Sequence, residues 1–495
     1  MTAENLANSA TPDEECLDCG YEPELKRTLG GFQVFAVSFA FISVAVGIFG
    51  TYDDLLRTSG PVGLWLWILA AIGQALVALV VAQFAARIAL SGSSYQWASR
   101  LANPKVGWLF GWLTFWYLAI AVVAVDNALA SQAFMPLMGM QENEDTARII
   151  TVVILVVQSV LVIASTRLLG MITSSAVGIE LGIIVAVVIG LAVVMVFTGS
   201  GDLSNLTSRG ITAGAPNYYA IGGGLMAGMI MGLTTLVGFD SAANLAEEAK
   251  DPFKSVPRAI VASVLAAGAL GFVFLIALTI AIKDIPAVSA SGSPVAAIIR
   301  SQFGVVAERV LLAGLVFAMF GAGMVIIAAC SRQVFAMARD KRFPAHELMK
   351  KVNPKTQTPV PATLLILAVG VVLMVALPGD ALIPLIVGST ILPALIYTGI
   401  VILYMAVRKN LEHKEGGFSL GRFEMPVAVA ALIWEAFVIF VLVTPGGNTV
   451  PVVIVVGIIL AGGVYFAYMF FFHRDILDNE PGIDEAIATK PEVTA

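Results

Sequence analysis

Two apolar stretches of the chain contain residue types that could hold a small polar molecule inside a membrane. In the first, Val46-Gly47-Ile48-Phe49-Gly50, two glycines lie three residues apart. In the second, Val237-Gly238-Phe239-Asp240-Ser241, a glycine precedes an acid and a hydroxyl. Glycine permits non-helical dihedrals and the close approach of a ligand. Because unwinding in lipid frees backbone groups that must be paired, we expect both stretches to break their helices and to bind a ligand.

Such breaks favour a ligand that carries both signs of charge. The start of the helix after the first break offers amides and a positive dipole end to a carboxylate. Carbonyls at the ends of the preceding helices accept from an ammonium. Two alternatives stay open: glycine pairs also serve as packing contacts between membrane helices, and Asp240 could cap the helix that follows it.

Two acids inside apolar stretches are candidates for proton coupling. Glu180 is the only charged residue between positions 172 and 196. Since an isolated carboxylate in lipid is costly, we expect Glu180 to find a partner or to take up a proton. It could instead be a neutral acid bonded to a neighbouring helix. Asp126 is the second candidate, and a water-filled vestibule is an alternative environment for it.

A third group of charges could form a gate. Glu247 and Glu248 lie one turn before a basic run, and Lys26 and Arg27 precede the first apolar stretch. Ion pairs among such residues could break when one side of the protein opens. The alternative is that they are solvated loop charges, worth under ~1 kcal/mol per pair.

The composition excludes several classes of protein. Of the 495 residues, 58% are hydrophobic and 13% charged, against roughly 25% charged in a typical soluble domain. A mean hydropathy of +0.90 therefore indicates lipid as the main solvent, not a soluble enzyme. The formal charge of -6 gives no basic face for nucleic acid. We expect no cofactor and no metal site, and the phosphate-binding motif of ATP-driven pumps is missing from the sequence.

The apolar stretches predict an all-α integral membrane protein with twelve spans. Each span is long enough to cross roughly 30 Å of hydrocarbon as a helix. The predicted spans are 31–57, 62–86, 107–137, 148–165, 171–198, 217–246, 257–282, 305–338, 360–377, 381–406, 426–443 and 450–472.

The predicted spans also give an orientation and a domain organisation. Of the 28 Lys and Arg residues, 22 fall on the side of the termini, which predicts that both termini are cytoplasmic and that the protein lies in the plasma or inner membrane. Five spans lie in 31–198 and five in 217–406, so the second half runs upside down relative to the first. Two peripheral spans follow in 426–472. The tails are 1–30 and 473–495.

The segment 237–260, which begins Val-Gly-Phe-Asp-Ser-Ala-Ala-Asn-Leu-Ala-Glu-Glu, resembles the span-six signature of the amino acid/polyamine/organocation (APC) permeases. Within them it is most similar to the GABA and choline permeases. Segments 43–50, 91–102 and 331–340 agree, as does Gly60-Pro61. The resemblance implies a leucine-transporter-type fold, in which a 5+5 inverted repeat has discontinuous helices 1 and 6. It also implies secondary transport of amino acids or related amines.

By position, the resemblance assigns substrate binding to Gly47–Gly50 and Val237–Ser241, with span three around 119–126 and span ten as walls. Many relatives have a lysine in span five where this chain has Ile179 beside Glu180. We therefore expect an importer of an amino acid or small amine, coupled to H⁺ and embedded in the bilayer. Sodium coupling, exchange and, from a different class, an ion-conducting channel are the alternatives.

Overall fold

The described residues are 25, 27–140, 143–291, 293–376, 382–411, 418–444 and 449–479, and they fold almost entirely into helices in a computed structural model. The predicted gate residue Lys26 lies outside them, as do residues 1–24 and 480–495 of the predicted tails. The main helices are α1 (Gly31–Ile42), α2 (Val44–Thr58), α3 (Leu66–Ala85), α4 (Ser93–Leu101), α5 (Pro104–Ala128), α6 (Glu144–Ala164), α7 (Thr166–Thr198), α8 (Met229–Thr235), α9 (Ser241–Asn244), α10 (Pro252–Ile280), α11 (Pro294–Phe303), α12 (Val305–Arg339), α13 (Val360–Ala376), α14 (Leu382–Val407), α15 (Glu424–Val443), α16 (Thr449–Phe472) and α17 (Arg474–Asp478).

Local sequence determines where several helices begin. The Asn143 side chain accepts a hydrogen bond from the Thr146 N–H and caps α6. Ser165 caps α7 in the same way, because its hydroxyl accepts from the amides of the first turn. Prolines 104, 252 and 294 occupy the first position of α5, α10 and α11, where the missing N–H costs no hydrogen bond.

Ten helices among the described residues are long and apolar enough to cross a membrane. The sixth and ninth predicted spans correspond to shorter apolar helices, Gly224–Thr235 and Val360–Val375. Large apolar side chains such as Phe197 and Phe471 are exposed on the outside of the bundle, as a lipid-facing surface requires. The chain is therefore a multi-pass membrane protein, while the count of twelve spans and the inverted repeat stay predictions.

Long helices surround the interrupted ones. Helix α10 packs along α3 and α1, and α12 packs along α5 and α7. Within this frame α2 packs along α8, and α1 packs against α9. The two interrupted spans, α1–α2 and α8–α9, are therefore in direct contact with each other.

Candidate substrate site at two broken helices

The first span is interrupted at Ser43, not at Gly47–Gly50 as predicted. Ser43 has φ 38° and ψ 81° and is the single residue between α1 and α2. Its N–H still donates to the Phe39 carbonyl, at 2.8 Å, so α1 ends normally. Gly47 lies inside α2, where its N–H donates to the Ser43 carbonyl. The prediction of a break in this span is confirmed, but its position was wrong by one helical turn.

Glu180 of α7 binds this break directly. Its Oε1 accepts from the Ala45 N–H at 2.9 Å and from the Ser43 hydroxyl at 3.2 Å. The side chain is 1% exposed. A buried carboxylate thus pairs an amide that the interruption leaves without a helical partner, and it does so at the positive end of the α2 dipole.

The second interruption falls where it was predicted. The chain unwinds between Thr235 and Ser241, and Gly238 adopts φ +84°. A Cβ at Gly238 would overlap the ring of Phe41, so glycine is required there by both its dihedral and its contact. The Gly238 N–H donates to the Tyr397 hydroxyl at 3.2 Å.

Asp240 does not cap α9 through its side chain. Its Oδ1 instead accepts from the Tyr397 hydroxyl at 2.6 Å, and the Tyr397 ring stacks on Phe239 with centroids 4.9 Å apart. The side-chain capping role that was the alternative for Asp240 is therefore wrong. The acid belongs to a contact with α14, the predicted span ten.

Hydrogen bonds tie the two interruptions together. The Ser38 hydroxyl of α1 donates to the Phe239 carbonyl at 2.7 Å, and the Ser241 hydroxyl donates to the Val37 carbonyl at 3.3 Å. The Phe239 carbonyl, which lies in the unwound segment, is thus satisfied by a hydroxyl of α1, and the Ser241 hydroxyl adds a bond to a carbonyl inside α1. Because of these bonds, a movement of α1 must displace the unwound segment 236–240 or break the bonds.

The remaining predicted substrate residues lie on α2 and beside Gly238. Val46, Ile48 and Phe49 are buried, Val237 is buried, and Gly50 is exposed. A Cβ at Gly47 would collide with the Thr235 side chain of α8. The packing alternative for this glycine is therefore supported, since it lets α2 and α8 approach closely.

We expect Gly47→Ala to separate α2 from α8 and to cost about 1–3 kcal/mol of stability, the usual effect of overpacking. Thermal unfolding of the purified protein measures this loss. Pairing Gly47→Ala with Thr235→Gly removes the colliding side chain, so the double variant should unfold closer to the unmodified protein than Gly47→Ala does. Equal losses in the single and double variants would contradict the contact.

Asp126 lies apart from both interruptions. Its Oδ1 accepts from Gln158 of α6 at 2.9 Å, and the same amide donates to the Phe320 carbonyl of α12 at 3.1 Å. The residue is 0% exposed, so the vestibule alternative does not fit. No hydrogen bond joins Asp126 to α1, α2 or the segment 236–240 in the described part of the chain.

The predicted gate charges are buried ion pairs. Glu248 pairs with Arg332 at 2.6 Å, and Glu247 pairs with Arg339 at 3.1 Å. Glu247 Oε1 also accepts from the Ser91 N–H at 2.9 Å. The alternative of solvated loop charges is therefore wrong for both acids. These pairs connect the end of the sixth span to α12 and to the loop before α4.

Residues before α1 take part through their backbone. Leu29 N–H donates to the Glu248 carbonyl at 3.0 Å, and the Lys250 N–H donates to the Leu29 carbonyl at 3.0 Å. The Arg27 guanidinium donates to the Ala249 carbonyl at 3.1 Å. We call the surface formed by residues 27–29, 247–250 and 332–342 the N-terminal face.

Three contributors were missed by sequence reasoning. Tyr397 and Tyr117 lie in spans named only as walls, and their hydroxyls in otherwise apolar helices were the available indication. Arg332 was not among the predicted gate residues, although it is 0% exposed inside α12 and pairs with Glu248. Its guanidinium can be buried because Glu248 pairs with it, and the two residues come together only in the folded chain.

A multi-pass membrane protein with two discontinuous helices in contact has the architecture of a transporter. The family model described as amino acid permease matches residues 29–450, so the chain belongs to that family and is a transporter rather than an enzyme. It is similar to the amino-acid permease BAT1 of Arabidopsis thaliana, with 28% identity over 84% of this chain and 85% of the relative. The chain is also similar to a putative polyamine transporter of Candida albicans, with 24% identity over 87% of this chain and 80% of the relative.

Proposed function

We propose that this chain imports an amino acid or a related small amine by proton-coupled alternating access around the two helix breaks. Its family supports transport, and the names of its relatives, amino-acid permease and putative polyamine transporter, support this class of cargo. In this proposal residues 46–50 and 237–241 contact the cargo. The N-terminal face is cytoplasmic, and the membrane is the plasma or inner membrane.

The N-terminal face supplies one gate, and hydrogen bonds supply the other. At the opposite end of the molecule the Tyr218 hydroxyl donates to the Ser59 carbonyl at 2.7 Å, and the Val62 N–H donates to the Ser208 carbonyl at 2.9 Å. These bonds fasten the loop after α7 to the end of α2. Opening one set of contacts at a time would expose the breaks to one side of the membrane, as alternating access requires.

The observation that carries proton coupling is the position of Glu180 on the break at Ser43. An ionised Glu180 makes charge-assisted hydrogen bonds to Ser43 and Ala45, and protonation removes the charge that strengthens them. Proton uptake would therefore loosen α7 from the start of α2. The coupling ion then acts on the helix that also contacts the cargo.

No Lys or Arg side chain in the described part of the chain forms an ion pair with Glu180. Helices α1, α6, α10 and α12 pack against α7. Helix α1 carries no charged residue, and the charged residues of the other three lie toward their ends: Glu144, Asp145, Arg148, Lys254, Arg258, Glu308, Arg309, Arg332 and Arg339. Glu180 is thus free to exchange a proton without breaking an ion pair.

Uptake into proteoliposomes of the purified full chain tests this function. We expect accumulation of an amino acid or amine when the outside is acidic, and its loss when a protonophore collapses the gradient. A membrane potential of 100 mV supplies ~2.3 kcal/mol per charge, which allows a nearly fifty-fold concentration ratio. Accumulation driven only by a sodium gradient, or flux without counterflow as in a channel, would contradict the proposal.

A further inference from the structure

We propose that the site at the two breaks selects a cargo with net positive charge, a diamine or polyamine, over a zwitterionic amino acid. This inference rests on the proposed function and names the cargo within it. It starts from the sign of the charges that meet at the breaks. Glu180 lies on the first interruption and Asp240 on the second. In the described part of the chain, neither acid has an ion pair or hydrogen bond with a Lys or Arg side chain.

Asp240 can accept further hydrogen bonds. Its Oδ1 accepts from the Tyr397 hydroxyl, and both oxygens of an ionised carboxylate can accept more than one donor. The residue is 7% exposed, so it is not sealed off completely. The side chain does not cap α9, so the carboxylate is not engaged by the first amides of that helix. An ammonium has three N–H donors and would complete this environment.

Tyr117 of α5 supplies a second acceptor at the same place. Its buried hydroxyl has no hydrogen-bond partner within the described residues, and the residue is 5% exposed. Its ring packs on Phe41 with centroids 5.8 Å apart, and Phe41 is half-buried beside Gly238. Aromatic faces around a carboxylate are a favourable environment for an alkylammonium.

The first break disfavours the carboxylate of a zwitterion. The amide at the start of α2 is the expected anion site, but the Ala45 N–H already donates to Glu180. A cargo carboxylate approaching this end would compete with a carboxylate of the protein and be repelled by it. A cargo with two amines meets no such competition, since both acids attract it.

Competition experiments with the full chain in proteoliposomes test the preference. Uptake of labelled putrescine (1,4-diaminobutane) is measured against unlabelled putrescine and alanine. We expect half-inhibition by putrescine at a concentration about tenfold lower than by alanine, which corresponds to ~1.4 kcal/mol. Equal or stronger inhibition by alanine would overturn the proposal without any variant, whether or not uptake is proton-coupled.

Asp240→Asn tests the residue. We expect this isosteric change to weaken putrescine inhibition about tenfold and to weaken alanine inhibition less, because putrescine carries two positive charges and alanine carries no net charge, so that the preference shrinks. Tyr117→Phe should reduce the preference less, because it removes only a neutral acceptor. Glu435→Gln is the matched control, since Glu435 is a buried acid of α15 whose carboxyl has no hydrogen-bond partner among the described residues. An unchanged preference in Asp240→Asn, with the protein folded as judged by its thermal unfolding, would overturn the assignment.

Discussion

Replacing Glu180 by glutamine is expected to abolish proton-driven accumulation while leaving exchange of labelled for unlabelled cargo across the membrane. Glutamine keeps the size of the side chain and an oxygen that can accept from Ser43 and Ala45, so the break at Ser43 should persist. The variant has no proton to gain or lose. Uptake into proteoliposomes at matched and opposed pH, with counterflow as the second readout, measures both properties.

Ser43→Ala provides the matched control for Glu180→Gln. It removes one of the two hydrogen bonds to the carboxyl group but keeps the group ionisable. We expect accumulation to survive with a shifted pH dependence, because one bond of about 1–3 kcal/mol to a charged acceptor is lost. Full pH-dependent accumulation by Glu180→Gln would show that the proton is carried elsewhere, with Asp126 as the next candidate.

The sequence located the break in the sixth span but not the one in the first, for a physical reason. Gly238 has a positive φ and a close contact with Phe41. Glycine is the residue type that tolerates both, so the sequence itself indicates a special position there. At the interruption at Ser43, the partner of the Ser43 hydroxyl and the Ala45 N–H is Glu180, which lies 137 residues away from Ser43 in the chain. No local pattern around Ser43 contains that partner. The glycine at 47 indicated a close helix contact correctly, and the glycines at 47 and 50 indicated a break incorrectly.

The charged residues show the same division. Glu247 and Glu248 were identified because acids next to a membrane span are conspicuous. Their partners Arg332 and Arg339 lie on α12, 84 and 92 residues later, and only packing brings these helices together. The free hydroxyl of Tyr117 and the bond from Tyr397 to Asp240 are likewise tertiary features. Composition and hydropathy specify the membrane and the helices, whereas the site depends on contacts between distant spans.

Neutralising one partner of the Glu248–Arg332 pair should have the largest effect on stability. Both side chains are 0% exposed, so Arg332→Met leaves a buried carboxylate without its cation and Glu248→Gln leaves a buried guanidinium. Removing one member of a buried pair costs about 3–5 kcal/mol, whereas replacing both is often neutral. We expect each single variant to unfold at a clearly lower temperature and the double variant to recover most of the loss.

An ion pair on the surface supplies the reference for this comparison of single and double variants. Lys350 and Glu347 are 3.1 Å apart and largely exposed, so Glu347→Gln should change the unfolding temperature little. The buried pair is also incompletely satisfied, since Glu248 Oε2 and Arg332 Nη2 find no hydrogen-bond partner in the part of the chain that the structure describes. An ion pair held by a single short contact is suited to a gate that must separate in each transport cycle. If the double variant is as unstable as the single ones and transports normally, the pair is neither the main source of stability at this face nor its gate.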